Sequence, residues 1–297
     1  MTARQPVDRH AVTSGGEVQA PPTDFMFTGY ALIKEPLNLE AGGQEWVRKL
    51  FGHHGNPEAS NGLILGATPW MIEMLGRRGY RNLVVVDMSK AMLCSAETAL
   101  APVLGESMKR TEFCESKWLE MRQPSRPFDT VLGDNSFSFL KFPADWSSLC
   151  NRLADMMSPC ATLVARCLSV PQKHTALSVG AIVDKFLPEQ SINYTEVRAN
   201  LLFAQWNEKT WSIDTERVLD EFQSHRMELE PLFEKFGVGE DNDLLTVRKY
   251  RGAGAVYYAP PLPALIDVIE ERFRITAIHF GSYRLGEYFP LVVASRK

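Results

Sequence analysis

The chain has 297 residues, 45% of them hydrophobic and 23% charged, the make-up of an ordinary globular protein with one large or two small domains and a real core. Its 32 Lys and Arg against 36 Asp and Glu leave a net charge of -4, so no phosphate-tracking surface and no nucleic-acid partner are expected. No apolar run approaches the roughly 20 residues of a membrane span, so membrane association is not expected and the expected compartment is the cytoplasm.

Residues 1–23 mix Pro, Gly, Ser and Thr and lack the apolar stretch of a secretory signal; a disordered tail is expected, with an organelle transit peptide as the alternative. From Asp24 the run DFMFTGYALIKEPLN gains aromatics, and residues 44–51 put Trp46, Val47, Leu50 and Phe51 on one side of a helix. Residues 24–62 therefore read as an N-terminal helical cap. His53 and His54 are neighbours that point different ways, with no Cys or carboxylate cluster to complete a site, so no metal is expected.

Residues 63–93, LILGATPWMIEMLGRRGYRNLVVVDMSKAML, read as one βαβ unit. A short apolar strand (63–65) meets a tight turn at Gly66-Ala67-Thr68-Pro69. A helix follows with Met71, Met74 and Leu75 on one face, and a second strand (83–86) ends on Asp87. Gly66 lets backbone approach a ligand where a side chain would block it, and Pro69 presets the first helical turn. The helix start offers unpaired N–H groups. Asp87 lies about 20 residues past the glycine, where an acid at a strand end accepts both hydroxyls of a ribose.

Further along, Ser89 is a plausible N-cap for a helix over 89–100, with Met92, Ala96 and Ala99 stepping by four and three. A third strand is expected over 111–114, followed by Lys117-Trp118, and a fourth over 128–132, opening into Gly133-Asp134-Asn135-Ser136. A helix over 145–157 carries Trp146, Leu149, Cys150, Leu153 and Met157, breaks at Ser158-Pro159, and gives way to a fifth strand over 161–168. Residues 171–249 do not fit a sheet; they read as helices 176–187 and 216–236 around an aromatic-rich stretch, 194–211. A doubly wound fold needs only one helix there, so this is an insertion large enough to cover a pocket. Residues 263–273 supply the missing helix, and 274–280 and 288–295 alternate like paired strands. The five cysteines (Cys94, Cys114, Cys150, Cys160, Cys167) are odd in number and form no C-x-x-C pair. Each lies in an apolar pattern and is expected as a buried, reduced thiol.

Three motifs in order and at workable spacing, the GATP turn, VVVDMSKAML and FDTVLGDNSFSFL, resemble those of the class I S-adenosylmethionine-dependent methyltransferases, in particular small-molecule enzymes with a G-x-T-P turn. The resemblance covers roughly 45–170 well and 250–297 more loosely. It implies an α/β fold, a doubly wound, seven-stranded, mostly parallel Rossmann-like sheet, with an N-terminal helical cap and a helical insertion between strands five and six. The implied core is 63–170 completed by 250–297, with 171–249 as a lid on the substrate side. The implied cofactor is S-adenosylmethionine, with S-adenosylhomocysteine as product and no metal. Its implied contacts are Gly66, Ala67, Thr68, Pro69, Asp87, Met88, Ser89, Met92, Lys117, Trp118, Asp134, Asn135 and Ser136. The family has an acid before the tryptophan where this chain has Lys117, and lysine cannot accept a hydrogen bond. Adenine reading therefore falls to backbone groups and stacking on Trp118.

Ligands of an open parallel sheet sit beyond the carboxyl ends of its strands, which places Asp134 and Asn135 where an acceptor meets the sulfonium. Asp134 either positions or deprotonates the acceptor, or caps the helix that follows. His174 is the only other candidate base, the alternative being an exposed loop residue; His279 reads as structural. Tyr30, Phe203, Trp206 and Trp211 line a substrate pocket or simply pack in a core. Arg248 and Arg251 pair with a carboxylate or phosphate on the substrate, or form surface ion pairs.

The expected function is transfer of a methyl group to O, N or C of a small-molecule acceptor by in-line displacement; a homodimer is left open. A non-catalytic S-adenosylmethionine-binding module is one rival, suggested by Lys117 and the relaxed turn. A nicotinamide-dependent oxidoreductase is the other, but its pyrophosphate prefers the full G-x-G-x-x-G, and Ala67 to Ile72 supply no further glycine.

Overall fold

A computed structural model describes Leu37 and residues 39–52, 56–237, 252 and 254–297. The tail, Tyr30, His53, His54, Arg248 and Arg251 lie outside the described residues.

Strand β1 (Asn61–Leu65) is followed by helix α2 (Pro69–Arg77), β2 (Asn82–Asp87), α3 (Lys90–Leu104), β3 (Thr111–Glu115), β4 (Phe128–Asp134), α4 (Ala144–Met156) and β5 (Met157–Arg166), with α1 (Ala41–Gly52) ahead of them. After the insertion come α9 (Leu262–Glu270), β9 (Phe273–His279) and β10 (Leu291–Arg296). These strands make a seven-stranded sheet in the order β3-β2-β1-β4-β5-β10-β9. Only β10 runs antiparallel to its neighbours. Central β1 is buried along its whole length, as a parallel strand covered on both faces must be. Alternation sorts its side chains: Leu63 and Leu65 join the core under α4 and α9, while Ile64 joins the core under α1, α2 and α3. The five parallel strands β1–β5 therefore all bring their carboxyl ends to one edge, where Gly66, Asp87, Ser116, Asp134 and Arg166 gather.

Helix α4 ends at Met156, next to the expected break at Ser158-Pro159, but the strand after it starts earlier than expected. β5 already begins at Met157, and its register against β4 jumps from Phe128 opposite Met157 to Thr130 opposite Thr162. The extra residues loop out of the ladder, so Pro159 costs no interstrand hydrogen bond. Cys160 lies in that loop and is exposed, as is Cys94, against the expectation of burial; Cys150 and Cys167 are buried.

The insertion also departs from expectation. It holds α5 (Val179–Phe186), α6 (Tyr194–Ala204), α7 (Thr215–Ser224) and α8 (Arg226–Phe236), with a small antiparallel sheet of β6 (Trp206–Asn207), β7 (Ser212–Asp214) and β8 (Val256–Tyr258). The single expected helix over 216–236 is two, divided at His225. Half of the aromatic stretch is itself a helix, α6, opened by a capping box between Asn193 and Glu196. Its buried residues surround it, so it shows no amphipathic stripe to read in sequence. Among the described residues no helix is long and apolar enough to cross a membrane.

Candidate functional site

The turn after β1 is held open by Gly66 at φ +99°, a region a side-chain-bearing residue adopts only with strain. Its N–H donates to the Val86 carbonyl at 2.8 Å, which ties the turn to the end of β2. There the Asp87 carboxylate accepts from Ala67 N–H at 3.0 Å and from Ser89 N–H at 2.8 Å, one on each oxygen. A carboxylate has about four acceptor positions, so each oxygen keeps a lone pair for a ligand. Burial pushes the Asp87 carboxyl up, while the N–H bonds from Ser89, Ala67 and Met88 pull it back down. A Cβ on Gly66 would lie 3.8 Å from Trp118 Cζ2 and 3.9 Å from Asp87 Oδ2, so turn, indole and acid converge on one point. The Trp118 ring is fixed by its Nε1–H, which donates to the Val86 carbonyl at 2.8 Å.

Beside this point lies an apolar lip. Met88 is 47% exposed and Phe139 48%, unusual for large apolar side chains. Phe139 meets Trp118 edge-on at 6.4 Å and Tyr257 at 5.1 Å. Sequence reasoning singled out neither Phe139 nor Tyr257, because Tyr257 reaches the lip only through the small sheet of the insertion. Ser89 caps α3 by accepting from Met92 N–H at 3.3 Å, and Met92 packs against the core. Lys117 points to solvent, 3.3 Å from Glu120.

The β4 loop holds a different arrangement. Asp134 Oδ1 accepts from Arg166 Nε at 2.6 Å, with the two side chains 3% and 1% exposed. Asp134 Oδ2 accepts from Trp70 Nε1–H at 3.3 Å. The carboxylate thus faces Arg166 and Trp70 and does not cap the turn Ser136–Phe139, which has no side-chain cap. Asn135 is left-handed at φ +57°, its N–H donates to the Arg166 carbonyl at 2.8 Å, and its Oδ1 is buried without a hydrogen-bond partner. Ser136 is buried and donates to the Leu65 carbonyl at 2.5 Å, joining this loop to β1. Arg166 escaped sequence reasoning; the signal was a lone arginine closing the apolar run ATLVAR.

Phe203, Trp206 and Trp211 are not brought together at this edge. Phe203 is buried in the insertion's own core, and Trp206 donates its Nε1–H to the Ala259 carbonyl at 3.1 Å. Trp211 instead packs on Phe142, ring centres 5.4 Å apart, against the main core. His174 sits among Phe203, Trp206 and Tyr288. Its Nε2 lies 3.2 Å from the Phe203 carbonyl, which can only accept, so Nε2 carries the ring proton and Nδ1 accepts from the Tyr288 hydroxyl at 3.0 Å. Both nitrogens are engaged, and burial lowers the imidazole below its usual range. The structure thus gives His174 a packing place among Phe203, Trp206 and Tyr288. His279 stacks on Trp46 at 4.8 Å. Among the described residues no group of three or more His, Cys, Asp or Glu side chains is placed to hold a metal ion.

This sheet order, with one antiparallel strand inserted next to β5, is the Rossmann-like fold of the class I S-adenosylmethionine-dependent methyltransferases. No family model matches the chain, and no curated protein matches it. Solved structures do. A magnesium protoporphyrin IX methyltransferase from Synechocystis with bound S-adenosylhomocysteine aligns at TM-score 0.51 and 12% identity, over 93% of this chain and 98% of its own. An S-adenosylmethionine-dependent methyltransferase from Methanosarcina mazei aligns at TM-score 0.50 and 14% identity, over 84% and 96%. A Rhodobacter sphaeroides protein described as a zinc-dependent alcohol dehydrogenase aligns at TM-score 0.57 and 16% identity, over 93% and 99%. At such identities the likeness establishes the fold alone.

Proposed function

We propose that the chain is an S-adenosylmethionine-dependent methyltransferase that moves a methyl group to O, N or C of a small-molecule acceptor by in-line displacement. The observation that carries this reading is the convergence of the Gly66 turn, the Asp87 carboxylate and the Trp118 ring on one point at the carboxyl edge of the sheet. Bound S-adenosylmethionine supplies an activated methyl on a sulfonium, so the chain's own task is to bind, orient and exclude water. Asp87 uses its remaining lone pairs for the ribose hydroxyls, and Trp118 with Met88 flanks the adenine. Asn135 Oδ1, buried and unpartnered, accepts a hydrogen from the bound ligand, since an unsatisfied buried acceptor is costly until something donates to it. The apolar lip of Met88 and Phe139 favours a flat or apolar acceptor.

Such chemistry asks for no protein nucleophile, and the buried thiols fit that: burial pushes Cys150 up to about 12, and Cys167 up as well. The S-adenosylhomocysteine bound by the Synechocystis neighbour supports the choice of cofactor. Calorimetry and thermal unfolding test it directly. S-Adenosylmethionine and S-adenosylhomocysteine should raise the melting temperature through mass action on the folded state, while NAD and NADP should not. Stabilisation by NAD alone would replace this reading with the oxidoreductase one. Tight S-adenosylmethionine binding without methyl transfer to any of a panel of aromatic alcohols, amines and acidic carbon acceptors would favour a binding module.

A further inference from the structure

Folding alone does not explain the Arg166–Asp134 pair. Both side chains are almost wholly buried, and their contact is 2.6 Å. Taking two charges out of water costs about as much as their attraction returns, and well-packed apolar residues in the same place are commonly as stable or more so. The pair does, however, join three separate stretches of chain. Asp134 Oδ1 faces Arg166, and its Oδ2 takes the Trp70 indole N–H, which comes from the first turn of α2, just past Gly66. The same guanidinium donates from Nη2 to the Leu37 carbonyl at 2.8 Å, where the chain leads into α1. Its Cζ lies over the Phe289 ring, 5.4 Å from the ring centre, just before the last strand. Only a planar fork with several fixed donors reaches two acceptors on different elements in this way; a lysine ammonium is a single point.

We propose that Arg166 is a positioning residue for the transfer site: acting through Asp134, it sets the β4 loop against the Gly66 turn, and through Leu37 it clasps the N-terminal cap to the same edge. The proposal rests on the methyltransferase reading. Asp134 is then a fixed negative group that orients the reacting partners, and its orientation is only as good as Arg166 makes it. Neutralising or shortening Arg166 leaves the cofactor contacts of Asp87 and Trp118 in place but lets the β4 loop and the cap move independently.

The test is a double-mutant cycle on the full chain with Arg166→Met, Asp134→Asn and the two together, plus Arg166→Lys. S-Adenosylhomocysteine affinity and turnover are measured at a temperature where circular dichroism shows each variant folded. Because either single change leaves an unpaired buried group, both should lower the melting temperature, and the double variant should regain most of it. Arg166→Met should lower turnover about tenfold in the wild-type background and hardly at all in the Asp134→Asn background, the coupling of two residues that act as one unit. Arg166→Lys should behave like Arg166→Met in turnover while keeping more of the melting temperature. If Arg166→Met fails to fold, Arg166→Lys measured in the wild-type and the Asp134→Asn backgrounds supplies the missing corners of the cycle. Losses that multiply in the double variant, or wild-type turnover in folded Arg166→Lys, overturn the proposal. Failure of the wild-type protein to bind S-adenosylhomocysteine overturns the methyltransferase reading, and the proposal with it.

Discussion

Gly66 shows how one residue decides the geometry of the edge. Its Cβ position is roomy, 3.8 Å from its nearest neighbours, so Gly66→Ala fails on backbone and not on space. Holding alanine at this φ costs on the order of 1–3 kcal/mol, which should appear as a lower melting temperature with a weaker response to S-adenosylhomocysteine. Asp87 gives a pH signature. Burial raises its carboxyl above the usual 3.8, so in the free protein it contributes stability that is complete at low pH and is lost as pH rises through the raised value. Ribose hydroxyls favour the ionised form, so cofactor affinity should strengthen as pH rises through that value and then level off. Titration calorimetry run upward from pH 3.8 would show it, and Asp87→Asn should flatten the profile. His174 carries the opposite shift. Its folded form is lowered from 6.5, so its contribution to stability is present above 6.5 and is lost as pH falls through the folded value. Replacing it with phenylalanine should remove that part of the acid sensitivity of the melting temperature.

Among the elements, α6 illustrates how a signal can be present and still be overlooked. The Asn193-x-x-Glu196 spacing is a helix start in plain sequence, and both halves of the box are formed, Asn193 Oδ1 accepting at 2.9 Å and Glu196 Oε2 accepting at 2.9 Å. The aromatic stretch nonetheless reads as irregular, because a helix buried on several sides has no polar face to set its period. Asn193→Ala should destabilise the chain by about 1 kcal/mol, measurable as a fall of a few degrees in melting temperature, with cofactor affinity unchanged. The start of β5 is the converse case. Pro159 normally ends an element, and only the register jump beside it makes it harmless.

For the molecule as a whole, the insertion has its own hydrophobic core, built on Phe186, Val197, Phe203, Leu219 and Leu229, yet that core takes in Tyr288 and Phe289 from the chain just before β10. The insertion therefore shares its core with the chain that leads into the last strand, beside Arg166. Hydrogen exchange should show ligand-induced slowing in residues 39–52 and in the Ser136–Phe139 turn, with α5 to α8 changed less than these. Slowing spread evenly over α5 to α8 would instead indicate a lid that closes as a body.

The sequence by itself determined the βαβ unit, the closing hairpin and the acid and glycine of the proposed cofactor site. Each of these rests on local information: strand and helix periods, a positive-φ glycine and an acid at a fixed chain distance from it. Tertiary structure alone decided that Asp134 is paired with Arg166, that Phe139 and Tyr257 form the lip, and that Phe203, Trp206 and Trp211 go to two different cores. Asp134 and Arg166 are 32 residues apart, and Phe139 and Tyr257 lie on separate elements. No period or spacing links such residues, because what brings them together is the register of adjacent strands and the packing of the insertion against the edge.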